Sequence, residues 1–278
     1  MKHIGVGLLL ISSLFCMSVY AQSKANTEHF VELVGVLSQG SLLSGQVQKG
    51  VNVFLNDKRV HVTPEGAFVL GFGRDAKLTQ KLRLEHANKT VSEQVLKLAK
   101  VAYKIQRIEG VPQKMVTPDP NKSARISAEA SLVRTARKKN LDLEFFLKNF
   151  IAPSDGPITG VYGSQRVYNG TPKRPHYGVD YAGPVGKVVY APQGGVVTLA
   201  HEDMYYSGGT LLIDHGYGVS SSFLHLSKIL VNEGDSVNQG DPIAKIGQGG
   251  RSTGPHLDWR INWFNVRIDP QLVLRRFE

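Results

Sequence analysis

Short alternating runs of apolar residues fill the first third of the chain: Val51, Val53 and Leu55, then Val60 and Val62, then Phe68, Leu70 and Phe72. A period of two puts alternate side chains on one buried face, so these runs predict β-strands. Turn formers separate them, among them Asn56-Asp57 and Pro64-Glu65-Gly66. From about Glu28 to Glu109 the pattern predicts a small β sandwich. Its histidines, His29, His61 and His86, have no acidic or histidine neighbour at metal-ligand spacing and read as strand or surface positions.

Pro112, Pro118 and Pro120 then break the pattern, and Asp119-Pro120 supplies an N-cap followed by a proline at the first helical position. A linking helix is predicted from there to about Asn140. Ile126, Ala130, Val133 and Ala136 fall on one side, with Lys122, Arg125, Arg134, Arg137, Lys138 and Lys139 as a basic remainder. That remainder reads as a solvated face, with contact to an anionic wall polymer or lipid as the sharper alternative.

Residues 151–278 hold 19 of the 29 glycines, a density suited to short strands joined by tight turns. The apolar runs 188–190, 196–199, 211–213 and 243–246 are the expected core strands, and no helical period is seen among them. The fold class expected is therefore mainly β: an N-terminal β sandwich, a linking helix and a C-terminal Gly-rich β barrel or sandwich. The expected divisions are 1–21, 22–110, 111–144 and 145–278.

The first of these divisions is a targeting segment. Lys2 and His3 precede an apolar stretch from Ile4 to about Met17, and Ser18-Val19-Tyr20-Ala21 offers a small residue for cleavage, so 1–21 reads as a secretory signal peptide. Phe15 before Cys16 argues against lipid attachment. Removing 1–21 takes away the only Cys and one Lys, lowering the formal charge from +10 to +9. No later apolar run approaches a membrane span. The positive excess favours an anionic partner, and export ranks nucleic acid last among candidates.

Chemistry concentrates in the C-terminal half. His176 and Asp180 flank Gly178 in an extended segment, and His256 and Asp258 open a strand-like run ending at Trp263. In strands, residues two or four apart share a face, so two neighbouring strands could aim an imidazole and two carboxylates at one point. Such a donor set suits zinc with an open position for water, and satisfied structural histidines are the competing reading.

His176-x-Gly-x-Asp180, the His225-Leu-Ser block and Ser252-Thr-Gly-Pro-His256-Leu-Asp258 occur in an order that resembles the LytM/lysostaphin-type zinc endopeptidases of bacterial cell walls. The resemblance covers roughly residues 145–275 and includes Tyr190-Ala-Pro-Gln-Gly-Gly-Val, Asp214-His215-Gly-Tyr-Gly and Val231-Asn-Glu-Gly-Asp235. The preceding β domain is similar, more loosely, to a module found ahead of this peptidase domain in some proteobacterial members. The resemblance implies His176 and Asp180 as zinc ligands and His225 and His256 as the two catalytic histidines. Asp258 departs from it, standing where the family's His-x-His ending has its second ligand. An Asp can coordinate zinc, but a second carboxylate makes the ion a poorer Lewis acid.

The function expected is zinc-dependent hydrolysis of peptidoglycan peptide bonds in the periplasm, with one Zn2+ as cofactor and a direct D,D cross-link as the bond. A degenerate regulator that binds and activates cell-wall amidases is the alternative that Asp258 favours. A carrier barrel of lipoyl type lacks the exposed Lys turn it would need. His215 reads as a structural landmark, His201 has no role, and Arg166 stands equally for the rim of the site or for structure.

Overall fold

The computed structural model describes residues 31–109 and 120–277. The readings of 1–21, His29, Pro112, Pro118 and Asp119 fall outside the described residues. Among the described residues, eight strands precede the helix: β1 (Leu33–Val34), β2 (Leu42–Gln46), β3 (Asn52–Leu55), β4 (Lys58–Val60), β5 (Ala67–Gly71), β6 (Thr79–Glu85), β7 (Val91–Lys97) and β8 (Ile105–Ile108). β1, β2 and β5 form one sheet, and β4, β3, β6 and β7 another. Leu43, Phe68 and Leu70 of the first share an apolar cluster with Val53, Leu82 and Leu84 of the second, which is what the period of two anticipates. Between β3 and β4, Asn56 and Asp57 both take positive φ, 46° and 65°, the backbone twist that a tight hairpin requires.

α1 (Ser123–Lys138) follows a single 3-10 turn at Pro120–Lys122, inside the predicted helix. Twelve strands come after it: β9 (Ile158–Gly160), β10 (Gln165–Tyr168), β11 (Thr171–Pro172), β12 (Val179–Ala182), β13 (Val188–Tyr190), β14 (Gly195–Met204), β15 (Gly208–Gly216), β16 (Val219–Ile229), β17 (Ser236–Val237), β18 (Pro242–Ile246), β19 (His256–Trp263) and β20 (Val266–Ile268). Ten belong to one sheet, ordered β17-β14-β15-β16-β19-β12-β9, with β18 on β16 carrying β13, and β20 on β19. No pairing closes β17 onto β9 among the described residues, so the barrel expectation narrows to a large β-sheet domain.

Two findings differ from the sequence pattern. A short helix, α2 (Pro270–Leu274), ends the described chain, capped by Asp269 Oδ1 accepting from the Gln271 amide at 2.9 Å. Asp269-Pro270 is the start signal already met at Asp119-Pro120, but five residues carry too little periodicity to betray a helix. The basic side of α1 is also not uniformly solvated. Arg137 is half-buried, with Nη2 donating to Ser222 Oγ at 3.4 Å, because the helix lies down on the sheet at this end.

The N-terminal strands pack against the large sheet. Leu42 and Val69 join the same apolar cluster as Phe223, Trp259 and Ile261, and β8 pairs in parallel with β10. Gly71 sits where a Cβ would lie 2.7 Å from Trp263 Cβ. Gly71→Ala is therefore expected to wedge the two regions apart and lower stability by about 1–3 kcal/mol, read as a lower denaturation midpoint in urea.

Candidate metal centre

β12 and β19 run antiparallel with Asp180 directly opposite Asp258 and Ala182 opposite His256. On the other side of β19, Leu224 of β16 faces Asp258 and Ser222 faces Arg260. Partners directly opposite project from one face of a sheet, so the two carboxylates, Arg260 and Ser222 share a surface. His176 lies just before β12, and its backbone is pinned at both ends: its amide donates to Ser164 O and its carbonyl accepts from Gly163 N, each at 2.8 Å.

His176 Nε2 lies 3.2 Å from Asp180 Oδ1, and both atoms are buried without a hydrogen-bond partner. Leaving a buried polar atom unsatisfied costs about 1–3 kcal/mol, so two such atoms turned toward each other call for a shared cation. His176, Asp180 and Asp258 each present one ligand atom, all within 4.8 Å of one another. One nitrogen and two oxygens converging in this way fit zinc. Two glycines make room for the carboxylates: a Cβ on Gly160 would meet Asp180 Oδ2 at 2.1 Å, and one on Gly178 would meet Asp258 Oδ1 at 2.2 Å.

Arg260, which the sequence reading did not single out, grips Asp258. Its Nε donates to Oδ1 at 2.9 Å and to Oδ2 at 3.1 Å, while Nη2 donates to Oδ2 at 2.5 Å. Asp258 is only 2% exposed. Burial by itself resists its ionisation, but the guanidinium outweighs burial and holds the carboxyl below the usual carboxylate range. Standing two residues from Asp258 on a strand, Arg260 was open to discovery by the same period-two argument that linked His256 to Asp258.

The two further histidines lie beside this cluster. His225 has φ +64° within β16, a left-handed conformation that costs on the order of 1–3 kcal/mol for a non-glycine residue. Regular alternation would place it on the face opposite Leu224; the left-handed residue breaks that alternation, and its ring lies 4.8 Å from that of His256. His225 Nδ1 is 2.8 Å from Gly249 O, and His256 Nδ1 is 2.8 Å from Gly254 O and 3.2 Å from Ser252 Oγ. A carbonyl accepts only from N–H, so both neutral rings carry the proton on Nδ1 and leave Nε2 as the basic nitrogen. His256 Nε2 is 4.0 Å from Asp180 Oδ1. Burial pushes His225 below the ordinary imidazole value, opposed by the Gly249 carbonyl and Asp258.

α1 lies over the same sheet face. Leu199, Leu212, Ser222 and Arg260 stand opposite one another across four strands, and Ala136 and Val133 of α1 pack on Leu199, Met204 and Leu212. Its first turns are tied to the β14–β15 hairpin, where Arg125 Nη2 donates to Asp203 O at 2.8 Å and Tyr205 N donates to Glu129 Oε2 at 2.9 Å. Of the other sequence candidates, His201 and Arg166 do not join the cluster; His201 Nδ1 accepts from Asp203 N, and Arg166 is exposed on β10.

Residues 174–270 match the family model described as Peptidase family M23. Peptidoglycan DD-endopeptidase ShyA of Vibrio cholerae is 42% identical over 87 residues, 31% of this chain and 20% of that protein. DD-carboxypeptidase/endopeptidase Mpg of Neisseria meningitidis is 43% identical over 100 residues, 36% of this chain and 23% of that protein. The chain thus spans about a fifth of the length of the curated relatives it matches. A Pseudomonas aeruginosa crystal structure assigned to peptidase M23 superposes with a TM-score of 0.66 at 27% identity, covering 88% of this chain and 97% of that one.

His215 is structural. Its Nδ1 donates to Gly194 O at 2.7 Å, its Nε2 accepts from Ser221 Oγ at 2.8 Å, and Trp259 Nε1 donates to the same Ser221 oxygen. Complete burial pushes its pKa down to about 4. Between about pH 6.5 and pH 4 the unfolded chain binds a proton here that the folded chain refuses, so stability falls as pH drops through this window, by about 3 kcal/mol in all. Urea titrations at pH 7 and pH 4 are expected to show this loss in the wild type and a shallower one in His215→Gln, which starts less stable at pH 7.

Proposed function

On the premise that residues 174–270 belong to the M23 peptidase superfamily, we propose that the protein is a zinc-dependent endopeptidase that hydrolyses peptide bonds of bacterial peptidoglycan after export to the periplasm. The observation that carries this reading is the convergence of His176 Nε2 and Asp180 Oδ1, both buried and unpartnered, on the Asp258 carboxylate. His176, Asp180 and Asp258 would hold the zinc, which would supply Lewis acidity for acidifying a water and polarising an amide carbonyl.

The remaining steps belong to the chain's own side chains. With Nδ1 committed to Gly249 O, His225 has Nε2 free to take a proton from the attacking water and return it to the leaving amine. His256, oriented by Gly254 O and Ser252 Oγ, stabilises the developing oxyanion in its protonated form, when Nε2–H is a donor as well. The positive formal charge, +10 for the whole chain, suits an anionic polymer with or without residues 1–21, and the DD-endopeptidase names of the relatives support the D,D cross-link as the bond cut.

A second reading, a non-catalytic regulator that binds wall amidases, is favoured by one observation: both Asp258 oxygens are already engaged by Arg260. Zinc analysis and digestion of purified peptidoglycan by wild type and His225→Ala separate the two. The enzyme reading expects about one zinc per chain in both proteins, cleaved peptides from the wild type, and a roughly 10²–10⁴-fold slower release from His225→Ala. Glycan cleavage alone, or wild-type digestion unchanged by His225→Ala, overturns it.

A further inference from the structure

Asp258 and Arg260 are joined by three hydrogen bonds, and together they are electrically neutral. A second guanidinium lies near Arg260, since Ser222 stands opposite Arg260 across the strands and Arg137 Nη2 donates to Ser222 Oγ at 3.4 Å. Asp258 is the carboxylate that receives the Arg260 fork. A guanidinium so placed without Asp258 would lose the carboxylate it forks onto and stand as a partly buried charge beside a metal site. Conversely, without Arg260 the two carboxylates Asp180 and Asp258 would face each other across adjacent strands with no cation between Asp258 and its surroundings.

Resting on the zinc reading above, we propose that Asp258 and Arg260 act as one unit that replaces a single neutral ligand, Asp258 contributing the donor atom and Arg260 positioning it and cancelling its charge. The arithmetic is simple. His176, Asp180 and Asp258 with a dication sum to zero, and Arg260 returns the site to +1, the charge of a dication held by two imidazoles and one carboxylate. Each carboxylate oxygen has two lone pairs, so an oxygen that accepts from Arg260 keeps one for a metal. The unit thereby relieves the penalty on Lewis acidity that a second carboxylate imposes by itself. The Gly178 cradle belongs to the same unit, for a Cβ there would strike Asp258 Oδ1 and also Arg260 Cγ at 2.8 Å.

The consequence is that neither residue can be exchanged singly. Asp258→His installs a good zinc ligand yet strands the guanidinium next to a dication. The test is a cycle of wild type, Asp258→His, Arg260→Gln and the double variant, read by zinc titration calorimetry, by the visible spectrum of the Co2+-loaded proteins and by melting of the metal-free proteins. Asp258→His is expected to bind zinc roughly tenfold or more weakly than wild type, and the double variant to return to within about threefold, a coupling in the range of contacting charged pairs. Arg260→Gln is expected to melt lower than wild type without metal and to gain more in melting temperature on adding zinc. The Co2+ spectra of wild type and double variant should agree in intensity, reporting the same coordination number. Equal zinc affinity of wild type and Asp258→His, or additive effects around the cycle, overturns the unit while leaving the enzyme reading intact. A wild type that takes up neither zinc nor Co2+ overturns the metal reading itself, and the unit with it.

Discussion

Two carboxylates placed directly opposite each other on adjacent antiparallel strands set the problem that the rest of this site answers. In a sheet, like charges in register repel, and burial sharpens the repulsion by removing the water that would screen it. The registers of β12, β19 and β16 fix Asp180, Asp258 and Leu224 in one row, so the charges cannot slide apart without shifting whole strands to their other face. Relief has to come from side chains around the row. His176 approaches from the segment before β12, Arg260 forks onto Asp258 from two residues along β19, and Gly160 and Gly178 leave the volume in which the carboxylates sit.

Much of this architecture is legible in the sequence because it obeys simple periodicities. Val53, Phe68 and Leu70 are buried where a period of two puts them, and His256 and Asp258 share a face for the same reason. The helix over residues 123–138 follows from its apolar side and from the proline break before it. Spacing alone does not reach His225, because its place in the site depends on a left-handed residue that violates strand alternation; the resemblance to cell-wall endopeptidases supplied it. Arg260 obeys the same period, but an arginine is not a metal-ligand residue type, and a ligand pattern carries no mark of the cation that a second carboxylate needs.

Partner identity is the other thing that one-dimensional patterns withhold. The side of α1 bearing Val133 and Ala136 announces that it will be buried, but not that it meets Leu199, Met204 and Leu212 on the face that carries the carboxylates. Arg137 belongs by sequence to a basic side and by geometry to a packed corner beside Ser222. His215 shows the converse: a histidine inside an Asp-His-Gly motif attracts functional interest, yet its two nitrogens are spent on Gly194 and Ser221, holding β15 and β16 together behind the site.

The position of α1 also changes what counts as a separable piece of this molecule. A cut before residue 145 keeps all five candidate site side chains, yet it strips the cover from Leu199, Met204 and Leu212, deprives Ser222 of its contact with Arg137, and leaves Asp214 without the Leu141 amide that it accepts at 3.1 Å. The trimmed sheet would carry a bare greasy strip one row from its carboxylates, a surface that seeks detergent, a second copy or any apolar chain. The stretch that looks like a tether between two lobes is, in packing terms, part of the cover of the large sheet.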